Sequence, residues 1–204
     1  MTRRGTEVAV MISSGTEGDM FLGHEGPWTE AEFRELPTDG PRFELLDGAL
    51  LMSPRPVRLH QRVTANLREL LRSQARAHGG EALTESDVRL ARDRIFVPDV
   101  VVFRDQDGHK GVSEAGQVLL AAEVVSPGSR PQDRVLKPNL YAEAGIAYYL
   151  RVEPGDDPGR VEVFLHALTG SCYALVEKAA EGQTCRLDLG LFAVEFDPAV
   201  LLEP

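Results

Sequence analysis

The chain has 204 residues, of which 43% are hydrophobic and 26% are charged. That balance is typical of a single soluble globular domain, and it excludes a wholly disordered chain. No apolar run approaches the roughly 18 residues of a membrane span, and the N-terminus is a poor signal peptide, so we expect a cytoplasmic protein with no membrane partner.

The formal net charge of −10 argues against strong nonspecific binding to nucleic acid, since such binding depends on basic side chains. The charge is unevenly distributed along the chain. Residues 51–80 contain six arginines and one acid, whereas residues 150–204 contain four bases and ten acids. An anionic partner would therefore approach the first region and be repelled by the C-terminal third.

The N-terminal part of the chain divides into a tail and the start of a domain. Residues 1–26 are rich in Gly, Ser, Thr and Glu and lack periodicity, which predicts a flexible tail before a single domain over residues 27–204. Thr29 precedes Glu32 by three positions, which is the pattern of a capping box and predicts a short helix.

A hairpin and a long helix are expected next. Asp47-Gly48 separates two apolar runs and is a strong signal for a two-residue hairpin turn. Apolar residues at helical spacing predict a helix over Val57–Ala77, which Gly79-Gly80 would end.

The rest of the chain alternates strands with one helix. Segments 85–103 and 117–125 are apolar enough for buried strands, and we expect the second at the centre of a sheet. A helix ending at Ala144 follows, and the pattern from residue 146 to residue 189 predicts a four-strand antiparallel meander. This order of elements indicates an α/β fold in which helices pack against a sheet.

Three acidic residues, Glu44, Asp99 and Glu123, interrupt the apolar runs. A lone carboxylate inside a strand is costly to desolvate unless it is paired, protonated or bound to a metal. If the three converge, they form a like-charged cluster that Mg²⁺ would relieve, because this ion binds carboxylates together with water and phosphate oxygens. The alternative is that these acids lie on edge strands and face water.

Asp133, Lys137 and Tyr141 are spaced by four residues and would share one face of a helix. Pro138 is unfavourable inside that helix, so we expect the helix to start at Pro138 with Lys137 at its N-terminal edge. Beside a metal, Lys137 could position a water or neutralise a phosphate. Spacing alone favours the alternative, an exposed ion pair between Lys137 and Asp133.

His60 lies on the apolar face of the long helix, in line with Val63 and Leu67. This position favours a partly buried histidine with satisfied hydrogen bonds. The alternative is a histidine that orients a phosphate or a water.

Several segments, taken in order, resemble one known family. They are FELLDGALLMSP, His60-Gln61 at the start of a helix, VPDVVVF, AAEVVSP, DRVLKPNLYAEAG and IAYYLRVEP, within residues 43–154. Together they are similar to the Uma-type putative restriction endonuclease family, a branch of the PD-(D/E)XK nuclease superfamily. The resemblance implies a restriction-endonuclease-like α/β fold, with a central mixed β-sheet flanked by helices and a C-terminal antiparallel meander.

The resemblance also assigns the acids to positions in a site. Asp99 takes the PD position, Glu123 takes the (D/E) position, and Glu44 is the upstream acid. The superfamily lysine two residues after the acid is absent, because Val125 stands there. Lys137 on the following helix fits the role of that lysine.

The implied activity is that of a Mg²⁺-dependent endonuclease that hydrolyses phosphodiester bonds of DNA, with Mn²⁺ as an alternative ion. Asp99, Glu123 and the backbone carbonyl of Val124 would hold the metal. Glu44 would bind a metal-bound water or a second metal. Replacing Asp99 or Glu123 by Ala should abolish cleavage and leave the fold intact or more stable, because like charge is relieved.

The nuclease hypothesis also predicts which side chains meet the substrate. Lys137 would orient the attacking water and offset charge on the phosphorane, and Asp133 or Tyr141 would steady it. The residues expected to contact DNA are Arg58, His60, Arg62 and Tyr141.

A non-catalytic protein of the same fold is the rival hypothesis. The net charge of −10 and Val125 in place of the lysine both favour a homodimeric interaction module, assembled through apolar strands or a sheet edge in the C-terminal third. Steep weakening of nucleic-acid binding with salt would distinguish the nuclease from an apolar dimer. A hydrolase of another phosphate ester is a third alternative, since a metal site does not specify its substrate.

Overall fold

The computed structural model describes residues 24–37, 41–53, 56–106, 111–126, 128–155, 157 and 159–204. The flexible tail predicted over residues 1–26 lies outside these ranges except for its last three residues. In the described part of the chain, no helix combines the length and the apolarity needed to cross a bilayer.

The described residues form three α-helices and thirteen strands in the predicted order of helix, hairpin, helix, strands, helix and strands. They are α1 (Glu30–Arg34), β1 (Arg42–Leu46), β2 (Ala49–Ser53), α2 (Arg58–Ala77), β3 (Glu81–Thr84), β4 (Val88–Ala91), β5 (Arg94–Phe96), β6 (Val100–Phe103), β7 (Ser113–Glu114), β8 (Val118–Val124), α3 (Lys137–Glu143), β9 (Tyr148–Pro154), β10 (Val161–Thr169), β11 (Cys172–Ala180), β12 (Cys185–Asp188) and β13 (Ala193–Phe196). A π-helical turn over Gln132–Leu136 leads directly into α3. Short 3-10 turns precede β8 and follow β13.

A six-stranded sheet forms the centre of the molecule. Its strand order is β11-β10-β9-β8-β6-β3, in which β8 and β9 are parallel and the other neighbours are antiparallel. All seven residues of β8 are buried, which confirms that the apolar run ending at Val125 lies inside a sheet. This mixed sheet with its flanking helices confirms the predicted fold class.

The two faces of this sheet are covered by different elements. Val63 and Leu67 of α2 pack in one core cluster with Val102, whereas Tyr141 of α3 packs in a second cluster with Val101. Because successive strand residues point to opposite faces, α2 and α3 lie on opposite sides of the sheet. α3 belongs to the crossover that the parallel strands β8 and β9 require, so its first turn lies over the sheet.

A second sheet of five strands has the order β2-β1-β5-β4-β7 and supplies Arg42 and Glu44 from β1. The predicted hairpin turn joins β1 to β2, with φ values of 51° at Asp47 and 86° at Gly48. Two consecutive positive φ values define a type I′ turn, whose twist matches that of the strands. A Cβ atom at Gly48 would also clash with Pro27, so glycine is required there.

Both predicted N-terminal helices are present. The Thr29 hydroxyl accepts a hydrogen bond from the N–H of Glu32, whose carboxylate accepts one from the N–H of Thr29, so the capping box is complete. α2 starts one residue later than predicted, after Val57, and the chain turns at Gly79, where φ is 81°.

The prediction of a four-strand meander is wrong at its last strand. β9, β10 and β11 form an antiparallel meander, but β12 leaves it and pairs with β13, a strand that the sequence pattern does not indicate. The reason is packing. Leu187 of β12 and Val194 and Phe196 of β13 join the same core cluster as α2, so this hairpin folds over the helix.

Candidate active site

Four elements bring the three predicted acids and Lys137 together. Glu44 lies on β1, Asp99 directly before β6, Glu123 on β8, and Lys137 is the first residue of α3. Asp99 therefore lies in the bend that leads into a strand, one position outside the strand proper. All four residues are buried, with 3%, 2%, 1% and 4% of their surface exposed, so the alternative that the acids face water is wrong.

Lys137 occupies the centre of this group. Its Nζ atom lies 3.0 Å from Oε1 of Glu123, 3.2 Å from Oε1 of Glu44 and 3.7 Å from Oδ1 of Asp133. The exposed ion pair with Asp133, which the spacing alone favours, is therefore wrong, because the lysine is buried and its nearest partner is Glu123. We call Glu44, Asp99, Glu123 and Asp133 the acid cluster.

A π-helical turn lets one helical face carry Asp133, Lys137 and Tyr141. The N–H of Lys137 donates to the carbonyl of Gln132, five residues earlier, which continues the helical path into α3. Pro138 then falls at the start of α3, where its ring is tolerated. The observed start at Lys137 differs by one residue from the predicted start at Pro138.

Tyr141 supports Glu123 from the interior. It has no exposed surface, and its hydroxyl donates to Oε1 of Glu123 at 2.6 Å. Lys137 donates to the same oxygen, so neither donor engages the second oxygen of Glu123. This burial corrects the expectation that Tyr141 contacts the substrate, since an inaccessible hydroxyl can only hold other groups of the site in place.

Asp99 is held by a different set of donors. Nη1 of Arg42 donates to Oδ1 at 2.9 Å, and the N–H of Val124 donates to Oδ2 at 2.8 Å. Nε2 of His60 lies 3.1 Å from the same Oδ2 and donates to it, because an ionised carboxylate can only accept. The structure thus joins His60 of α2 to the site, with its Nδ1 buried and without a partner among the described residues.

Arg42 is a functional candidate that the sequence patterns above do not indicate. It precedes Glu44 by two positions on β1, and residues two apart on a strand point to the same face. A buried acid at Glu44 therefore implied that the side chain of Arg42 would reach the same region. That signal was present in the sequence segment RFELL.

Glu44 links the second sheet to the cluster. Its Oε1 atom accepts a hydrogen bond from the N–H of Val97 at 3.1 Å and lies 3.2 Å from Nζ of Lys137. The segment before Asp99 is thereby anchored to β1 through a buried carboxylate.

The acid cluster contains more carboxylates than permanent cations. Four carboxylates meet the ammonium of Lys137 and the guanidinium of Arg42, so the cluster would carry an excess of two negative charges with all four acids ionised and His60 neutral. The balance is uneven inside the cluster. Burial alone would raise the pKa of Asp99, but the hydrogen bond from His60 and the charge of Arg42 outweigh burial and lower this pKa below its usual range.

At Glu123, in contrast to Asp99, burial raises the pKa well above its usual range, and the ammonium of Lys137 offsets only part of that effect. The negative charges of Asp99 and Asp133 raise this pKa further. For Lys137 itself, burial lowers the pKa, but Glu123 and Glu44 outweigh burial and raise it above its usual range. The lysine therefore stays protonated at neutral pH.

The two arginines predicted to contact DNA lie on the surface of α2. Arg58 is exposed at the first residue of the helix. Arg62 is also exposed, but its Nη1 atom donates to the carbonyl of Leu202 at 3.3 Å, so the structure directs it toward the C-terminal segment. Neither arginine contacts the acid cluster, whereas His60 does.

The donor chemistry fits a hard divalent cation, because carboxylate oxygens in excess negative charge are what Mg²⁺ prefers. Among the described residues, no three His, Cys, Asp or Glu side chains form a group ready to hold a metal ion. In this arrangement Asp99 accepts hydrogen bonds from Arg42 and His60, and Glu123 accepts one from Lys137. Mg²⁺ commonly uses one or two carboxylates and fills its shell with water and phosphate oxygens, so two acids satisfy it.

The fold resembles that of a solved protein of the nuclease class. The structure, described as the crystal structure of a putative nuclease belonging to DUF820 from Anabaena variabilis, matches with a TM-score of 0.64 and 19% sequence identity. The match covers 86% of this chain and 98% of that chain. At this level of identity the likeness establishes a shared fold. The comparison with curated proteins gave no match.

The family described as "Uma2: Putative restriction endonuclease" matches residues 30–198. Since this range covers most of the chain, the protein belongs to the Uma2 family. The match confirms the resemblance found in residues 43–154 and extends it over both ends of the fold. It supports a nuclease-like function for the chain.

Proposed function

We propose that the chain is a Mg²⁺-dependent endonuclease that hydrolyses phosphodiester bonds of DNA. The observation that carries this proposal is the buried contact between Lys137 and Glu123, within a cluster that has more carboxylates than permanent cations. Superfamily sites need a lysine beside the metal-binding acid, and Val125 cannot serve. Lys137 offers an ammonium 3.0 Å from that acid, from the next helix.

Asp99, Glu123 and the backbone carbonyl of Val124 would hold Mg²⁺, with Mn²⁺ as an alternative. The N–H of Val124 is directed at Asp99, and the carbonyl of a strand residue points to the same side as its N–H, which supports this set. When bound, the ion would polarise a phosphate oxygen and lower the pKa of a coordinated water.

Lys137 would act as a fixed positive charge. Because the surrounding carboxylates raise its pKa, it stays protonated and cannot accept a proton from the attacking water. Its ammonium would orient that water and offset the charge that develops on the phosphorane. Asp133 and Tyr141 would hold Lys137 and Glu123 in register, as their contacts indicate.

Glu44 would accept a hydrogen bond from the attacking water or bind a second metal ion. Because Glu44 contacts Lys137, a water bound to Glu44 would also lie near the ammonium of Lys137. His60 would contact the substrate phosphate near Asp99, and Arg58 and Arg62 would contact the DNA backbone farther along α2. We propose that this single domain, residues 27–204, acts in the cytoplasm.

Calorimetric titration with Mn²⁺ and Mg²⁺ tests the metal site directly. We expect the wild type to bind, and Glu123→Gln to lose binding, because the substitution removes a carboxylate charge and keeps the side-chain shape. Glu195→Gln is a matched control, since Glu195 pairs with Arg186 within the hairpin of β12 and β13. Folded wild-type protein that binds neither ion, with or without a DNA duplex, would contradict the proposal.

A second candidate function is a homodimeric interaction module without catalysis. The observation that favours it is the exposed apolar surface of β11, an edge strand on which Leu175 and Val176 are 54% and 53% exposed. Light scattering over a range of concentrations distinguishes the two functions. A dimer that Leu175→Asp dissociates, together with no binding of Mn²⁺, would favour the module over the nuclease.

A further inference from the structure

Arg42 is the most accessible of the three basic side chains that touch the acid cluster. Its side chain is 25% exposed, against 14% for His60 and 5% for Lys137. The exposure of these three side chains thus increases from Lys137 through His60 to Arg42. Because Lys137 is the least exposed of the three, a substrate that approaches from solvent would meet the guanidinium of Arg42 before it meets the ammonium.

The neighbours of Arg42 show which way the cluster opens. Its Nη1 atom lies 2.9 Å from Oδ1 of the buried Asp99 and 4.0 Å from Oε1 of Glu85, whose side chain is 59% exposed. The N–H of Glu85 donates to the backbone carbonyl of Asp99, so this acid stands directly beside the site. Arg42 therefore bridges a buried carboxylate and an exposed one.

The exposed partner is weakly bound and replaceable. An ion pair at 4.0 Å with a largely solvated carboxylate contributes little, because water screens the charges. Asp99 is bonded through Nη1, which is one of three guanidinium nitrogens that together carry five N–H donors. Such a planar donor set matches a phosphate, which it can bind through two parallel hydrogen bonds.

We infer that Arg42 binds a phosphate oxygen of the substrate at the mouth of the acid cluster, taking phosphate in place of Glu85 while it holds Asp99. This inference rests on the proposed nuclease function and adds a substrate-binding residue to it. Without such a cation, the phosphate would have to approach a cluster with excess negative charge. Arg42 thus provides the attraction that the net charge of the chain does not.

The test is equilibrium binding of a fluorescein-labelled DNA duplex to the full chain, with Ca²⁺ present and the absence of cleavage verified on a gel. Anisotropy is measured between 50 and 200 mM KCl. We expect Arg42→Gln to weaken binding about 10-fold or more and to reduce the slope of log K against log salt by about one, the value for one phosphate contact. Arg42→Lys keeps the positive charge, and its affinity for the duplex should lie between those of the wild type and Arg42→Gln.

Two controls separate phosphate binding from a structural role. Arg94→Gln removes the same charge from an arginine that pairs with Asp47 and Glu143 and is 28% exposed, and it should leave the salt slope unchanged. Glu85→Gln removes the competing carboxylate and should bind DNA at least as tightly as the wild type. A structural role for Arg42 would lower the unfolding free energy of Arg42→Gln and leave its salt slope at the wild-type value.

The outcomes for the inference and for the nuclease function are distinct. Wild-type affinity and slope in Arg42→Gln and Arg42→Lys, with cleavage intact in the wild type, would overturn the role of Arg42 alone. If the wild type binds no duplex, the DNA function fails, and ³¹P NMR titration with inorganic phosphate decides the role of Arg42. Phosphate binding that Arg42→Lys weakens supports the inference, and binding that is absent or unaffected overturns it.

Discussion

Asp99 and Glu123 are carboxylates of the same cluster, buried to the same degree, yet their pKa values move in opposite directions. Asp99 accepts from Arg42, from His60 and from a backbone N–H, so its charge is compensated. Glu123 shares the single ammonium of Lys137 with other acids and lies in a region with excess negative charge. Burial raises the pKa of both acids, and the comparison shows that the donors around each carboxylate decide whether this effect is outweighed.

The largest expected effect is the loss of catalysis when Glu123, whose negative charge is poorly compensated, is replaced. Glu123→Gln should lower the cleavage rate by about 10³-fold or more, an activation penalty of about 4 kcal/mol, because the side chain can no longer serve as an anionic ligand. A plasmid-nicking assay with Mg²⁺ and with Mn²⁺ measures this rate. Activity within tenfold of the wild type would remove Glu123 from the site.

Replacing Asp99 should lower the stability of the protein, whereas replacing Glu123 should not. Asp99→Asn removes the buried carboxylate that Arg42 and His60 share and should lower the free energy of unfolding by about 2–4 kcal/mol. Glu123→Gln relieves like charge and should leave stability unchanged or raised. The sequence led us to expect that replacing either acid would leave the fold intact. With the contacts of Asp99 known, we keep that expectation for Glu123 only. Urea unfolding at pH 7 compares the two variants, and equal losses would contradict the asymmetry.

Opposite pH dependences should follow from the same asymmetry. The folded-state pKa of Asp99 lies below the ordinary 3.8, so its stabilising contribution is present above that value and is lost as the pH falls. The folded-state pKa of Glu123 lies above the ordinary 4.5, so its contribution is present below 4.5 and is lost as the pH rises through the folded value. The unfolding free energy is measured from pH 3 to pH 9. Compared with the wild type, its dependence on pH should be weaker at acid pH in Asp99→Asn and weaker at alkaline pH in Glu123→Gln.

The smallest effect concerns the reactivity of a buried thiol, that of Cys185. Burial raises the pKa of the Cys185 thiol to about 12, with a further contribution from Glu177, whereas Cys172 is exposed. At pH 8 a thiol-specific disulfide reagent should therefore modify one thiol in the folded protein and two after unfolding. Cys172→Ser should abolish the fast reaction. Two fast thiols in the native protein would show that the core around β12 opens readily.

Local sequence signals predicted much of the fold because they act over a few residues. The capping box at Thr29, the Asp47-Gly48 turn and the apolar run of β8 each fix a helix start, a turn or a buried strand by themselves. The pattern failed at β12, since its pairing with β13 depends on packing against α2, which lies more than 100 residues away in the chain.

The sequence by itself determined the family, the order of the elements and the three acids that had to be explained, because an acid in an apolar run is costly wherever the run folds. Only the tertiary structure decided that Lys137 is buried against Glu123 and that Arg42 holds Asp99. Spacing along a helix favours a solvent-exposed pair with Asp133, and it contains no information about a strand beneath that helix. The crossover between β8 and β9 supplies that information, since it lays α3 over the sheet and turns a local charge pattern into a buried cluster.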